Sequence, residues 1–281
     1  METLENKLIE NHWVRHAQLE SARQEAAKTN KPIWAALVKL GYLSLADLYV
    51  FFAQESGVPY VKISNYKINP EVLRLLDEDF CRQNVLIPLF KIKDTIYIAC
   101  GNPFDTELVT TLPKILEFTV EFLLAVPASI LKALDAFYGP EEKTFALEKL
   151  IVQNEPLKGL AFWRESERLP LTIPISLRLE DSTVALPNST PIDGYTRDIS
   201  HNGTALGLEV FLYLPKGVNI SLEFRPEGTL FSSGRSIKTK GEIVYCRMEK
   251  GQQYFLGIKF TEITAEAREQ LFKLATQPKK P

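Results

Sequence analysis

Leu169-Pro170-Leu171-Thr172-Ile173-Pro174-Ile175-Ser176-Leu177-Arg178-Leu179 decides the fold of the second half of the chain. Leu171, Ile173, Ile175, Leu177 and Leu179 alternate with Thr172, Pro174, Ser176 and Arg178. Successive side chains of a strand point to opposite faces, so this period of two describes a half-buried strand. Pro174 has no N–H to give a ladder, which predicts an edge strand or a bulge at that point. Further strand candidates follow at residues 191–197, 204–212, 218–224, 237–247 and 253–260. Turn residues separate them at Pro215-Lys216-Gly217, Arg225-Pro226-Glu227-Gly228 and Glu249-Lys250-Gly251. Six short strands in roughly 90 residues predict a small antiparallel barrel. Thr264 reads as the cap of a closing helix whose Ala267, Leu271 and Leu274 lie on the barrel, and residues 277–281 read as a frayed end.

Two motifs flank the first of these strands. Before it, Arg164 and Arg168 stand at R-x-x-x-R spacing in Trp163-Arg164-Glu165-Ser166-Glu167-Arg168. After it comes Asp198-Ile199-Ser200-His201-Asn202-Gly203, or D-x-S-x-x-G, read as a turn at a strand end. Alone, the first is usually a solvated face and the second a common turn; their placement around a barrel strand is the more specific signal. An arginine fork grips a guanine O6/N7 edge or a phosphate in bidentate fashion. Asp198 accepts from guanine N–H donors, Ser200 exchanges hydrogen bonds with a phosphate or base amine, and Gly203 permits close backbone approach or positive φ. An anionic guanine nucleotide calls for this set of groups.

Upstream the periodicity is helical. Residues 1–57 carry a faint repeat at an offset of 29: Leu8, Leu19 and Glu25 recur as Leu37, Leu48 and Gln54. Each copy reads as a short helix, a tight turn and a longer helix. Gly41 suits a helix C-cap, where the first copy has His12, and Ser44 suits the next N-cap with Asp47 in the capping-box position. Residues 58–139 read as mixed α/β. A helix at 70–76 is capped by Asn69 and opened by Pro70. Strands at 85–92 and 95–99 join at Lys93-Asp94. A helix at 105–116 carries Pro113, a strand follows at 118–124, and a helix at 127–138 ends at Gly139-Pro140. Residues 141–153 predict a connecting helix, and 157–168 an arm leading into the barrel.

The whole chain has 281 residues, 45% hydrophobic and 24% charged, with a net charge of −2. This length suggests about two domains, and no whole-chain field draws in nucleic acid. Three scattered cysteines, Cys81, Cys100 and Cys246, without C-x-x-C, point to a reduced, cytoplasmic setting. The opening Met1-Glu2-Thr3-Leu4-Glu5 is no signal sequence, and no apolar run reaches the ~20 residues a bilayer needs. The phosphate-loop and dinucleotide fingerprints G-x-x-x-x-G-K-[ST] and G-x-G-x-x-G are absent. His12 and His16 lack the glutamate and third ligand of a zinc site, and Ser200 lacks a G-x-S-x-G elbow. The expectation is a protein that is not an enzyme, has no metal and needs no cofactor.

At this point a resemblance enters. Residues 160–277 resemble a PilZ domain, the bacterial receptor for cyclic di-GMP, through Arg164-x-x-x-Arg168, Asp198-x-Ser200-x-x-Gly203, Gly241-Glu242-Ile243-Val244-Tyr245 and Tyr254-Phe255-Leu256-Gly257-Ile258-Lys259-Phe260. The resemblance implies a six-stranded barrel, arginines on an arm that closes over the ligand, and no catalysis. Residues 1–139 resemble the MshEN domain, the N-terminal domain of type II secretion and type IV pilus assembly ATPases. The likeness lies in Gly41-Tyr42-Leu43-Ser44, Gln54-Glu55-Ser56-Gly57-Val58-Pro59-Tyr60-Val61, Pro88-Leu89, Asn102-Pro103-Phe104-Asp105 and Tyr138-Gly139. Nucleotide-binding versions repeat an R-L-G opening. Here the copies open on Thr3-Leu4-Glu5 and Pro32-Ile33-Trp34, so the likeness implies docking rather than nucleotide binding.

The expected architecture is multidomain α+β: a helical repeat at 1–57, an α/β subdomain at 58–139, a connecting helix and linker at 140–159, and a PilZ β-barrel at 160–277. The expected function is that of a cyclic di-GMP effector. Arg164, Arg168, Asp198, Ser200 and Gly203 hold the nucleotide, and the N-terminal domain engages a protein of a pilus, secretion or motility machine. The alternative is a scaffold whose barrel takes no nucleotide.

Overall fold

The computed structural model describes residues 4–102, 106–140, 169–180, 182–187, 191–226, 236–249 and 253–276. The expected connecting helix, the arm and both of its arginines, Arg164 and Arg168, lie outside the described residues. The chain falls into two compact units: Met1–Ser64 with Ile68–Leu89 and Asp94–Gly159, and Asn65–Lys67 with Phe90–Lys93 and Leu160–Pro281.

In the first unit, α1 (Leu4–Glu10), α2 (His16–Thr29), α3 (Ile33–Lys39) and α4 (Leu45–Ser56) form the two copies that the 29-residue offset predicts. Equivalent leucines are equally deep: Leu8 and Leu37 are 0% exposed, Leu19 and Leu48 1%. The turns match as well. After α3, Gly41 N–H donates to the Val38 carbonyl and Tyr42 N–H to Leu37; after α1, His12 donates to Ile9 and Trp13 to Leu8. Such a helix end needs a left-handed residue just past the cap. Gly41 supplies it at φ 71° and His12 at φ 59°. Glycine takes this conformation without steric cost and histidine does not. Ser44 Oγ accepts the Asp47 N–H at 3.0 Å and so caps α4.

The elements that follow are α5 (Pro70–Leu73), α6 (Glu78–Gln83), β1 (Leu86–Ile92), β2 (Thr95–Cys100), α7 (Thr106–Leu116), β3 (Thr119–Leu124) and α8 (Pro127–Tyr138). The sheet order is β1-β2-β3, with β2 and β3 parallel and α7 as their crossover. Ile96, Ile98, Leu112, Leu124, Ile130 and Leu134 are fully buried, forming the core that α7 and α8 complete. The helix expected at 70–76 ends at Leu73 as α5, and α6 follows as a further helix outside the expected elements. Asp77 Oδ1 accepts the N–H groups of Asp79 and Phe80 at 2.9 and 3.3 Å and starts α6. The acidic run Asp77-Glu78-Asp79 suits a helix N-terminus. Arg82 of α6 keeps 3% of its side chain in water. Its Nε donates to Glu78 at 2.8 Å, Nη1 to Asp135 at 2.7 Å and Nη2 to the Gly139 carbonyl at 2.8 Å, tying α6 to the end of α8.

The second unit contains β4 (Leu169–Pro170), β5 (Pro174–Leu179), β6 (Ile192–Ser200), β7 (Gly203–Leu208), β8 (Asn219–Phe224), β9 (Ile237–Glu249), β10 (Gln253–Glu262) and α9 (Ala265–Thr276). The strand order is β4-β6-β5-β8-β9-β10-β7, and β7 pairs back onto β6. Six antiparallel strands, β5 to β10, therefore close into a barrel. Leu177, Leu206, Ile220, Phe224, Ile243 and Leu256 fill it and are fully buried. Thr264 Oγ1 accepts the Ala267 N–H at 3.1 Å at the start of α9, whose Ala267 and Leu271 are buried.

Pro174 is not on an edge strand. It opens β5, which lies between β6 and β8 in the closed barrel. Proline is tolerated at the first position of a strand. Between β4 and β5 the chain stays beside β6 by a different device. Buried Thr196 donates its hydroxyl to the Leu171 carbonyl at 2.6 Å and accepts the Ile173 N–H at 3.0 Å. The strand expected at 204–212 ends earlier, at Leu208.

Candidate functional site

Asp198 and Ser200 are two residues apart near the end of β6 and share one strand face; Ile199 between them is 1% exposed and belongs to the core. The ladder sets Asp198 opposite Ala205, Ile199 opposite Thr204 and Ser200 opposite Gly203. The motif is thus mostly strand, and only His201 and Asn202 form the turn. Ser200 donates its hydroxyl to the Gly203 carbonyl at 3.2 Å, and Thr204 donates to the Asp198 carbonyl at 2.7 Å. The Phe260 N–H holds the Asn202 carbonyl at 2.8 Å. His201 stacks on Phe272 of α9, with ring centroids 4.2 Å apart. Ser200 and His201 therefore face different partners and do not form a nucleophile–base pair.

Gly203 answers the choice left open by the sequence. Its φ is not in the left-handed region. A Cβ there would land on the carbonyl oxygen of Ile258 in β10. Barrel closure brings the β10 backbone against β7 at this point, opposite Lys259. Gly203 is thus required by close backbone approach.

On the other side of β6, β4 pairs Leu169 with Ile199 and Pro170 with Asp198. The residue that follows Arg168 in the chain is therefore hydrogen-bonded in register between Asp198 and Ser200. Leu169 and Pro170 thus lie beside the end of β6 that carries Asp198 and Ser200, although Leu169 is 29 positions before Asp198 in the chain.

Arg197 is a site candidate that the motif reading passed over. The ladder slips between Thr196 and Asp198, which makes Arg197 the extra residue of a β-bulge. Bulges re-aim side chains next to functional sites. Arg197 Nη1 donates to both Glu249 carboxylate oxygens at 2.9 Å, and its Cζ lies 5.5 Å from the centre of the Phe255 ring. Arg247 Nη2 donates to the same carboxylate at 2.7 Å and lies 5.4 Å from the Tyr245 ring centre. One signal of the bulge was present in the sequence. Ile192 and Ile199 are an odd number of residues apart and cannot share one face of an unbroken strand.

Other chemistry is poorly supported. Burial pushes the thiols of Cys81 and Cys246 up to about 12, so neither is a ready thiolate. Among the described residues no group of three histidines, cysteines and acids could hold a metal. No described helix is long and apolar enough to cross a membrane. A groove of about 660 Å³ runs over β5, β8 and β9, lined by Ser176, Arg178, Ser221, Glu223, Lys238 and Lys240; no D-x-S-x-x-G residue lines it.

Comparison with known proteins gives two family matches: residues 56–144 to the MshEN domain and residues 163–277 to the PilZ domain. The type IV pilus assembly ATPase PilB of Myxococcus xanthus is 24% identical over 144 residues, which cover 51% of this chain. The chain spans a quarter of the length of that relative. Among solved structures, MshE with cyclic di-GMP is 27% identical over 49% of this chain and all of the other, at a TM-score of 0.45. The PilZ domain of YcgR from Escherichia coli, solved with cyclic di-GMP, is 13% identical over 40% of this chain and 88% of the other, at a TM-score of 0.32.

Proposed function

Because the chain carries an MshEN domain followed by a PilZ domain, we propose that it is a non-enzymatic receptor that binds cyclic di-GMP on its barrel and relays the binding to a protein docked on its N-terminal unit. The observation that carries this reading is the β4–β6 ladder. It sets Leu169, the residue after Arg168, beside the strand that bears Asp198 and Ser200, which supports a site that draws on both motifs. Arg164 and Arg168 then supply the cationic forks and Asp198 the acceptor for guanine N–H groups. Ser200, buried and already donating its hydroxyl to the Gly203 carbonyl, keeps acceptor capacity for a base amine at the strand end. Gly203 serves by letting β7 and β10 close behind them.

The N-terminal unit reads as the docking half. Its repeat openings, Thr3-Leu4-Glu5 and Pro32-Ile33-Trp34, lack the arginine of nucleotide-binding versions. The likeness to a pilus assembly ATPase points to a partner in a pilus, secretion or motility machine.

Titration calorimetry of the full chain with cyclic di-GMP tests the proposal. The parent binds saturably. Arg168→Ala weakens binding by about one to two decades, the worth of a charge-assisted contact of roughly 1.5–3 kcal/mol. A folded alanine variant that binds as tightly as the parent would remove Arg168 from the site.

A further inference from the structure

On the outer face of the barrel, β6, β7, β10 and β9 lie side by side. Register places Tyr195, Gly207, Phe255 and Arg247 in one row, and Asp198, Ala205, Gly257 and Tyr245 in the next. The glycines leave room for rings. A Cβ at Gly257 would collide with the Tyr245 ring, and one at Gly207 would press on the edge of Phe255. A guanidinium lies over each ring, Arg247 on Tyr245 and Arg197 on Phe255. Glu249 bridges the two by accepting from both. The central carbon of each guanidinium thus lies over a ring, while the side chains keep 52% (Arg197) and 49% (Arg247) of their surface in water.

Exposed ion pairs return little stability for the freedom they remove. What this arrangement does achieve is to hold two planar cations in fixed orientation beside Asp198. The cluster carries two positive charges and one negative. Glu249 already offsets one of the two charges and so weakens the pull on a phosphate, whereas a heteroaromatic ring can stack on a guanidinium with Glu249 in place. Nucleobases stack on arginine planes as they do on aromatic rings.

We propose that Arg197, with Arg247 beside it, is a stacking shelf for a purine of the bound nucleotide, and so a specificity-determining residue outside the two motifs. The inference rests on the reading of the barrel as a cyclic di-GMP receptor. It assigns the shelf to the base and leaves the phosphates to Arg164 and Arg168.

The test is calorimetry of the full chain with cyclic di-GMP, using Arg197→Ala and Arg197→Lys, with thermal unfolding to confirm that both variants fold as the parent does. Loss of one stacked base weakens binding by about tenfold or more. Lysine keeps the charge but not the plane, so Arg197→Lys should bind as weakly as Arg197→Ala. Recovery of parental affinity by lysine would show that charge alone acts there and would overturn the shelf. Unchanged binding by Arg197→Ala would overturn the shelf and leave the receptor reading standing. Absence of saturable binding by the parent would overturn both.

Discussion

Arginine is used in opposite ways in the two units. In the first, Arg82 is withdrawn from water and its guanidinium is consumed by Glu78, Asp135 and the Gly139 carbonyl. Burial acts to lower its pKa, but hydrogen bonds to Asp135 and Glu78 outweigh this and raise it. In the barrel, Arg197 and Arg247 lie on rings at the surface, share one carboxylate and keep about half of each side chain in water. The difference separates a structural cation from an accessible one. A cation with every nitrogen engaged inside the protein holds helices together. A cation seated over a ring with half of its side chain in water can still meet a ligand.

The sharpest way to break this contrast is Arg82→Ala. Two carboxylates and a helix-end carbonyl lose their shared donor. Removing one partner of a buried ion pair costs about 3–5 kcal/mol, and Glu78 and Asp135, each about two-fifths exposed, bring the expected figure to its lower end, about 3 kcal/mol. The first unit should melt well below the parent while cyclic di-GMP affinity is unchanged. An unshifted melt would mean that Arg82 is as dispensable as a surface arginine.

Next in size is Gly203→Ala. The added carbon meets backbone rather than a flexible side chain, so strand β7 must move from β10. Overpacking of this kind costs about 1–3 kcal/mol, read as a lower urea midpoint. If the variant keeps the parental midpoint yet loses the nucleotide, Gly203 belongs with Arg197 rather than with Arg82.

These two residues also show what a sequence yields and what it withholds. The barrel was legible because alternation from Leu171 to Leu179 and regular turn residues report burial directly. The helical repeat was legible in Leu8, Leu19, Leu37 and Leu48. Pro174 misled because its missing N–H fits both an edge and a strand opening, and only the pairing of β5 with β6 on one side and β8 on the other distinguishes them. Helix α6 was hidden inside an acidic run too short to show periodicity. Arg82 and Arg197 were both invisible as functional types. Which arginine is buried depends on α8 reaching α6, and which is laid on a ring depends on a bulge and three-strand register.

The smallest effect tests the exposed end of the contrast within the first unit. A hydrogen bond and attraction from Lys39, 2.6 Å away, hold the Glu25 carboxyl below its ordinary 4.5. Its folded value is depressed, so the pair's contribution is present above that ordinary value and is lost as pH falls through the lower folded one. A carboxyl-carbon NMR titration should give Glu25 a midpoint below 4.5 that Lys39→Gln moves back up, with almost no change in melting near neutral pH. A large loss of stability in that variant would contradict the small worth assigned to exposed ions.

The two-residue strand β4 has a further consequence, in the geometry of reach. Leu169 is anchored to Ile199 by the ladder. Chain dimensions allow Arg168, one step away, a Cα no more than ~3.8 Å from that anchor, whereas Arg164, five steps away, is allowed up to about 17 Å. If both arginines hold cyclic di-GMP as proposed, the ladder at Leu169 sets the reach of the motif: covalent geometry alone ties the nearer arginine to β6 far more tightly than the farther one.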